Sequence, residues 1–416
     1  MFFLYQIIIS IILLISPLII IIRIFKNKED KFRYIEKFSI PSIQRKKGKL
    51  IWLHGASVGE ILSIIPIIKY YDKKKYINQI LITTSTLSSS KIIKKFKFKK
   101  VIHQFYPIDQ IYFTNKFLNF WRPSLAIFIE SEIWPCMFKN IGKLNIPLIL
   151  LNARITKKTF KRWSQFKFFS KYIFNEIKIA YPQNIETKNY LKKLNTRKIL
   201  HIGNLKFAQS SDKYYDRIPQ KLKFEFKKKK IWVASSTHGI EEIFCAKTHI
   251  ELKKKIKNLI TIIIPRHVHR ANEIITEISK LNLKTALHSD RPDSLENIDI
   301  YVVDTFGETG KFHKISNSVF LGGSIIKRGG QNPLEAARHG AKILHGPNID
   351  NFKDVYKLLK LLKVSKEIGT PKQLATSITF KKNKTAGIKI KNIGEKIRKK
   401  TINELNKFIN NEYKKT

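Results

Sequence analysis

The sequence predicts an α/β protein, built as two Rossmann-like domains facing a cleft and preceded by an N-terminal membrane-anchor helix. Three observations predict it. Phe2 to Ile22 is almost wholly apolar. From about residue 48, short apolar runs alternate with longer amphipathic stretches, which is the pattern of βαβ units and a parallel sheet. The alternation lapses in the lysine-rich stretch Gln209 to Lys230 and then begins again. These breaks place the anchor at residues 1–25, the first domain at 26–208, a linker at 209–230 and the second domain at 231–416.

The apolar N-terminal run has about the 20-residue length that crosses a bilayer core. Tyr5, Gln6, Ser10, Ser16 and Pro17 interrupt it, so a helix tilted into the membrane interface is the alternative. No basic segment precedes the run and no small-residue cleavage site ends it, which argues against a cleaved signal peptide. Arg23, Lys26 and Lys28 follow at once, and the positive-inside rule then puts the bulk of the chain in the cytoplasm. No second run of this length occurs, so the remainder is expected to be soluble.

Candidate strands in the first half are Leu50–Leu53, Gln79–Thr83, Leu125–Ile129, Pro147–Leu151 and Ile177–Tyr181. Those in the second are Ile231–Ala234, Leu259–Ile264, Asp299–Val303, Val319–Leu321 and Ala341–Leu344. Open α/β sheets bind ligands beyond the carboxyl ends of their strands. Residues just after these runs are therefore the candidates for chemistry.

Composition narrows the classes. The chain carries 80 Lys+Arg against 31 Asp+Glu, a net charge of +49. That suits a polyanionic partner or an anionic membrane. A chain-wide bias toward Lys, Ile and Asn gives the same excess, and the lysines are spread everywhere. Aromatic-basic platforms and nucleic-acid-binding motifs are absent, so nucleic acid is not expected as a partner. Cys136 and Cys245 are too far apart for a CxxC pair, which excludes a zinc cage of that type.

Six segments sit where chemistry is expected. His54-Gly55-Ala56-Ser57-Val58-Gly59-Glu60 leads from a strand into a helix. Glu60 reads either as a first-turn carboxylate favoured by the helix dipole or as a general base for a hydroxyl nucleophile. Glu130-Ser131-Glu132 follows a buried-type strand as a polar cluster, unless Glu132 only starts a helix. Lys206, in Gly203-Asn204-Leu205-Lys206-Phe207, either offsets negative charge or is one more surface lysine. Pro265-Arg266-His267 places a guanidinium where it can meet a phosphate. His267 and His269 lack clustered carboxylates, so no metal is expected. Asp304-Thr305-Phe306-Gly307-Glu308 forms a turn past another strand.

The richest segment is Gly322-Gly323-Ser324 followed by Arg328-Gly329-Gly330-Gln331-Asn332-Pro333-Leu334-Glu335. Asn332 as N-cap, Pro333 at the first helical position and Glu335 closing a capping box explain part of it. The glycines beside Arg328 add an anion site. No dinucleotide fingerprint, P-loop or nucleophile elbow is present. The residues alone thus point to a nucleotide-sugar glycosyltransferase without naming the sugar.

Taken in order, the motifs resemble the Kdo (3-deoxy-D-manno-octulosonic acid) transferase family. They are the apolar N-terminus, His54 with Ser57-Val58-Gly59-Glu60, Pro107 with Asp109, and Glu130 through Pro135. Asn152-Ala153-Arg154, Gly203 through Phe207, Ser236-Thr237-His238 and Pro265-Arg266-His267 come next. Gly307-Glu308, Arg328 through Glu335, and Gly346-Pro347 with Asn351-Phe352 complete the set.

The resemblance implies a GT-B fold and an inverting, metal-independent transfer of Kdo from CMP-Kdo to a lipid A precursor, lipid IVA. It implies the cytoplasmic face of the inner membrane as the place, lipopolysaccharide synthesis as the process, and no cofactor. By the same resemblance Glu60 is the proton acceptor, and Glu130 and Lys206 stabilise the transition state. Pro265, Arg266, Phe306, Gly307, Glu308, Asn332, Pro333, Leu334 and Glu335 bind CMP. The sequence departs from the family at Gln331 (commonly His), at Phe306 (commonly Met) and in Thr86-Leu87-Ser88-Ser89, which lacks a usual glycine. The alternatives are another membrane-associated GT-B enzyme using a different nucleotide sugar, and a tethered nucleic-acid-binding protein.

Overall fold

A computed structural model describes residues 1–209 and 218–410. They form two compact units. The first comprises Met1–Gln209 together with the chain from Gly394 on, and the second takes the other described residues up to Ile393.

The first unit is built on six parallel strands: β1 (Leu50–His54), β2 (Gln79–Thr84), β3 (Val101–Phe105), β4 (Leu125–Ile129), β5 (Leu148–Ala153) and β6 (Ile179–Pro182). Their order is β3-β2-β1-β4-β5-β6. The chain winds outward from β1 through β2 to β3, then crosses back to lay β4 on β1's other side. Trp52 faces Leu81 in one neighbouring strand and Ala126 in the other. Helices cover both faces, which is why the central strands are apolar throughout rather than alternating. Trp52, Phe117, Phe128 and Phe138 fill the core.

The second unit carries seven parallel strands: β7 (Lys230–Thr237), β8 (Leu259–Pro265), β9 (Thr285–Leu287), β10 (Ile300–Val302), β11 (Ser318–Leu321), β12 (Lys342–His345) and β13 (Ser365–Glu367). The order is β13-β12-β11-β7-β8-β10-β9, so here the reversal falls between β7 and β11. Trp232, Ile263 and Phe320 anchor its core.

Two boundaries differ from the sequence reading. Of the expected linker, residues 210–217 lie outside the described residues. Gln220–Lys227 is a helix of the second unit, with Leu222 and Phe226 buried. Phe226 stands edge-on to Tyr301 at 5.3 Å. Two apolar residues four apart make one helical face, and seven surrounding residues of high charge had hidden it. The other difference lies at the carboxyl end. The helix Lys384–Ile409 was expected wholly in the second domain, but its residues from Gly394 belong to the first. There Tyr71 donates to Asn406 Oδ1 at 3.0 Å and Lys49 to the Ile409 carbonyl at 2.5 Å.

The N-terminal run is one helix, Phe2–Phe25, long and apolar enough to cross a membrane. It touches the first unit at both ends. Phe2 packs on Tyr172 with ring centroids 5.4 Å apart, and the Tyr5 hydroxyl donates to Asp109 Oδ2 at 2.7 Å. At the other end Ile20 is buried and Arg23 pairs with Glu29 at 3.1 Å.

Candidate active site

In the first sheet the winding reverses between β1 and β4, and their carboxyl ends open into the two loops that carry Glu60 and Glu130. A doubly wound sheet binds its ligand at such a point. Ser57 caps the helix Val58–Asp72, its Oγ accepting from the Glu60 amide at 3.3 Å. The Glu60 carboxylate folds back to accept from the Ala56 amide and the Ser57 hydroxyl, both at 2.8 Å. Burial first, and then the negative charge of Glu132, push the Glu60 carboxyl up to about 7, against the two donors. A general base works best when its pKa lies near the working pH.

Glu130 is buried and holds an ion pair with Lys206, Nζ to Oε1 at 2.7 Å. Asn152 ties the two loops together, its Nδ2 donating to Glu130 at 3.4 Å and its Oδ1 accepting from the Leu205 amide at 2.9 Å. Glu130 and Asn152 both adopt left-handed backbone, with φ of 55° and 53°. For non-glycine residues that costs on the order of 1 kcal/mol each, and such strain gathers at functional sites. The structure thus brings Glu60, Glu130 and Lys206 into one constellation on the first unit.

On the second unit, β8 ends at Pro265, and the Arg266 amide donates to the Thr237 carbonyl at 2.9 Å. Burial, and then the nearby His267, Arg266, Arg328 and Arg270, lower the His238 pKa. A group of cations therefore stands at the carboxyl edge of β7 and β8. His238 carried no role in the sequence reading, although it lies in a motif noted there.

The glycine segment after β11 is held by Glu241, which sequence reasoning missed. Its buried carboxylate accepts the amides of His238, Gly323, Ser324 and Ile325 at 3.0, 2.7, 3.0 and 2.9 Å. The bond from His238 is local, but the other three donors lie about 80 residues away, where no local pattern points. Gly322 passes so close to β7 that a Cβ would meet the Ser236 carbonyl oxygen at 2.4 Å and Thr237 Cα at 2.6 Å. Gly322→Ala is therefore expected to cost about 1–3 kcal/mol, read as a lowered melting temperature.

The capping expectation shifts by one residue. The helix is short, Leu334–Arg338, and Pro333 occupies the cap position. Asn332 still helps, its Oδ1 accepting from the Leu334 amide at 3.1 Å. Glu335 faces His313, Oε2 to Nδ1 at 3.7 Å. Five residues give a weak dipole, so backbone amides and cations rather than a long helix would meet an anion here. Phe306 is 81% exposed and Gly307 has a φ of 89°. Glu308 pairs with Lys311 at 2.5 Å and approaches His288 at 3.8 Å. The Phe306–Glu308 turn leads into the helix Thr309–Ile315, which bears His313. It therefore adjoins Glu335, while Pro265 and Arg266 stand with the His238 cations.

The family profile described as 3-Deoxy-D-manno-octulosonic-acid transferase (kdotransferase) matches residues 30–209. The 3-deoxy-D-manno-octulosonic acid transferase of Rickettsia felis is 35% identical over 331 residues, covering 80% of this chain and 71% of its own. The chain belongs to the Kdo transferase family. The Rickettsia bellii member is 33% identical and covers 91% of this chain and 90% of its own. As a Kdo transferase the protein is a glycosyltransferase of lipopolysaccharide biosynthesis. Its fold is GT-B. UDP-GlcNAc 2-epimerase from Neisseria meningitidis superimposes with a TM-score of 0.59, at 13% identity, over 86% of this chain and 100% of that one.

Proposed function

We propose that this Kdo transferase moves Kdo from CMP-Kdo to lipid IVA, a lipid A precursor, at the cytoplasmic face of the inner membrane. The observation that carries the reading is Glu60, a half-buried carboxyl raised to about 7 at the switch point of the first sheet. A hydroxyl of the acceptor attacks the anomeric carbon of Kdo and gives its proton to Glu60. The bond from that carbon to the CMP phosphate oxygen breaks, and attack from the opposite side inverts the centre. Lys206, held by Glu130, stabilises the charge that develops. Arg266, with Pro265, the Phe306–Glu308 turn and Asn332 through Glu335, binds CMP on the second unit. With these cations carrying the charge stabilisation, the transfer is assigned as metal-independent.

The apolar helix supports a membrane location, and the basic chain favours an anionic lipid surface. The test is an assay with CMP-Kdo and lipid IVA read by mass spectrometry. The expected product carries whole Kdo increments, formed by the native enzyme and lost in Glu60→Gln. Competition by CMP and not by UDP is expected as well. Tight UDP binding without CMP binding would replace the reading with a transferase for another nucleotide sugar.

A further inference from the structure

The helix Phe2–Phe25 is tied to the first unit at both ends, and the two ties converge on one loop. Near its start the Tyr5 hydroxyl donates to Asp109, and the Phe2 ring lies 6.4 and 5.4 Å from those of Phe169 and Tyr172. Near its end Arg23 pairs with Glu29 at 3.1 Å, and Glu29 also takes Lys37. The Lys37 carbonyl accepts from the Ile108 amide at 2.9 Å. Ile108 and Asp109 are adjacent in the chain. Tyr5 and Arg23 stand about 27 Å apart along the helix, at about 1.5 Å per residue. A bilayer core is about 30 Å thick. A helix crossing it would carry Tyr5 to the far side from Arg23, out of reach of Asp109.

Between the ends one stripe is covered. Tyr5, Ile9, Leu13, Ser16, Ile20 and Arg23, three or four residues apart, are buried or half-buried. That spacing makes one face of a helix. Gln6 and Ser10 are half-buried beside it. Four of the five residues that interrupt the apolar run thus face away from solvent. The opposite face is apolar and open, with Leu14 81% and Leu18 59% exposed. Composition alone suits a crossing helix, but the attachments hold this one flat against the unit.

The helices Lys157–Ser164 and Lys167–Phe174 adjoin it at the Phe2 end. Their inner side packs Trp163, Phe169 and Phe174 on the core. Their outer side leaves Phe168 93% exposed, with Phe166 and Tyr172 open beside it. Lys158, Lys161, Arg162, Lys167 and Lys171 are exposed around these rings. No acidic residue occurs between Glu132 and Glu176, although the chain carries 31, so a general lysine bias does not account for this patch. Open aromatic rings among unopposed cations match an anionic lipid surface.

We infer that the N-terminal helix lies in the plane of the membrane interface instead of crossing the bilayer, and that it forms, with the aromatic and basic outer side of residues 157–174, one docking surface for anionic phospholipid. The inference rests on the reading that the enzyme works at a membrane. Such a surface grips one leaflet only and keeps both ends of the helix on the side of the catalytic units.

Two measurements on the full chain test it. Cysteine tags before Met1 and after Thr416 are labelled in spheroplasts with a membrane-impermeant maleimide, the native Cys136 and Cys245 being buried. Both tags are expected to label together, and only after permeabilisation. In the second, bimane is attached at Leu14→Cys or Phe168→Cys, and the protein is bound to phosphatidylglycerol vesicles with brominated acyl chains. Quenching at residue 168 is expected to match that at residue 14, and to weaken when phosphatidylcholine replaces phosphatidylglycerol. One tag labelling without the other in sealed spheroplasts overturns the inference, as does vesicle-bound protein with no quenching at residue 168. Protein that binds neither kind of vesicle overturns the membrane reading itself, so the two failures are told apart. Neither measurement depends on sugar transfer.

Discussion

Glu60→Gln is expected to lower the transfer rate by roughly 10²–10⁴-fold, the usual contribution of a positioned base. The loss should fall on kcat, with CMP binding to the second unit retained. In the native enzyme only the ionised carboxylate accepts a proton, so the rate should rise with pH and level off above about 7. The same carboxyl imposes a cost on folding. Its native pKa of about 7 exceeds the ordinary glutamate value of 4.5. Between those values the native state holds the proton more tightly than the unfolded chain, so stability declines as pH rises through the window. Glutamine has no proton to lose there. Glu60→Gln should therefore match the native melting temperature at pH 4 and exceed it at pH 8. An inactive variant that gains stability only at high pH would mark Glu60 as a working group rather than a structural one.

The largest effect on stability is expected at Glu241. Truncation to alanine leaves the amides of His238, Gly323, Ser324 and Ile325 without their common acceptor, and the bonds from Gly323 and Ser324 are buried. Removing one partner of a buried charged cluster costs roughly 3–5 kcal/mol. Denaturant unfolding followed through the buried Trp232 should show the unfolding free energy falling by that amount and the midpoint falling with it. Glu241→Gln keeps one acceptor oxygen but turns an NH2 group toward amides that also donate, and should fall between. In both variants CMP binding should weaken, because the four amides fix the glycine segment beside His238 and Arg328. Native stability in Glu241→Ala would mean that the segment keeps its shape without this carboxylate.

Much of the architecture was legible because central strands of parallel sheets are uniformly apolar. Leu125–Ile129 has the same limits in sequence and structure. Three of the four edge strands were not legible, Ile179–Pro182 being the exception. Val101–Phe105 contains His103 and Gln104, and Ser365–Glu367 has no apolar residue at all. His103 is tolerated inside because Thr84 and Arg33 bond its two nitrogens at 2.9 and 3.0 Å, while burial and the neighbouring Arg33 lower its pKa to about 3. Such compensation is invisible to periodicity.

The site divides in the same way. Glu60 and Glu130 were marked by their places after apolar runs, and Lys206 only by the family resemblance. Their meeting depends on the order β3-β2-β1-β4-β5-β6, which no single segment encodes. Glu132 read either as part of a polar cluster or as a helix start; the helix begins only at Pro135, and Glu132 bonds His54. Glu241 was not singled out at all, because three of its four donors lie about 80 residues away.

The hydrogen bond from Tyr5 to Asp109 bears on how the enzyme is handled in the laboratory. Asp109 also receives the amides of Cys136 and Met137 at 3.1 and 2.8 Å, at the start of the helix Pro135–Lys143 that follows the Glu130–Trp134 loop. Cutting away residues 2–22 to obtain a detergent-free preparation would take one of three donors from a buried carboxylate and uncover Phe169 and Tyr172. The truncated protein would be a damaged enzyme, and its lost activity would be misread as a need for lipid. Recoding the outward residues Leu4, Ile8, Ile11 and Leu18 to polar ones, with Phe2 and Tyr5 kept, separates the two effects.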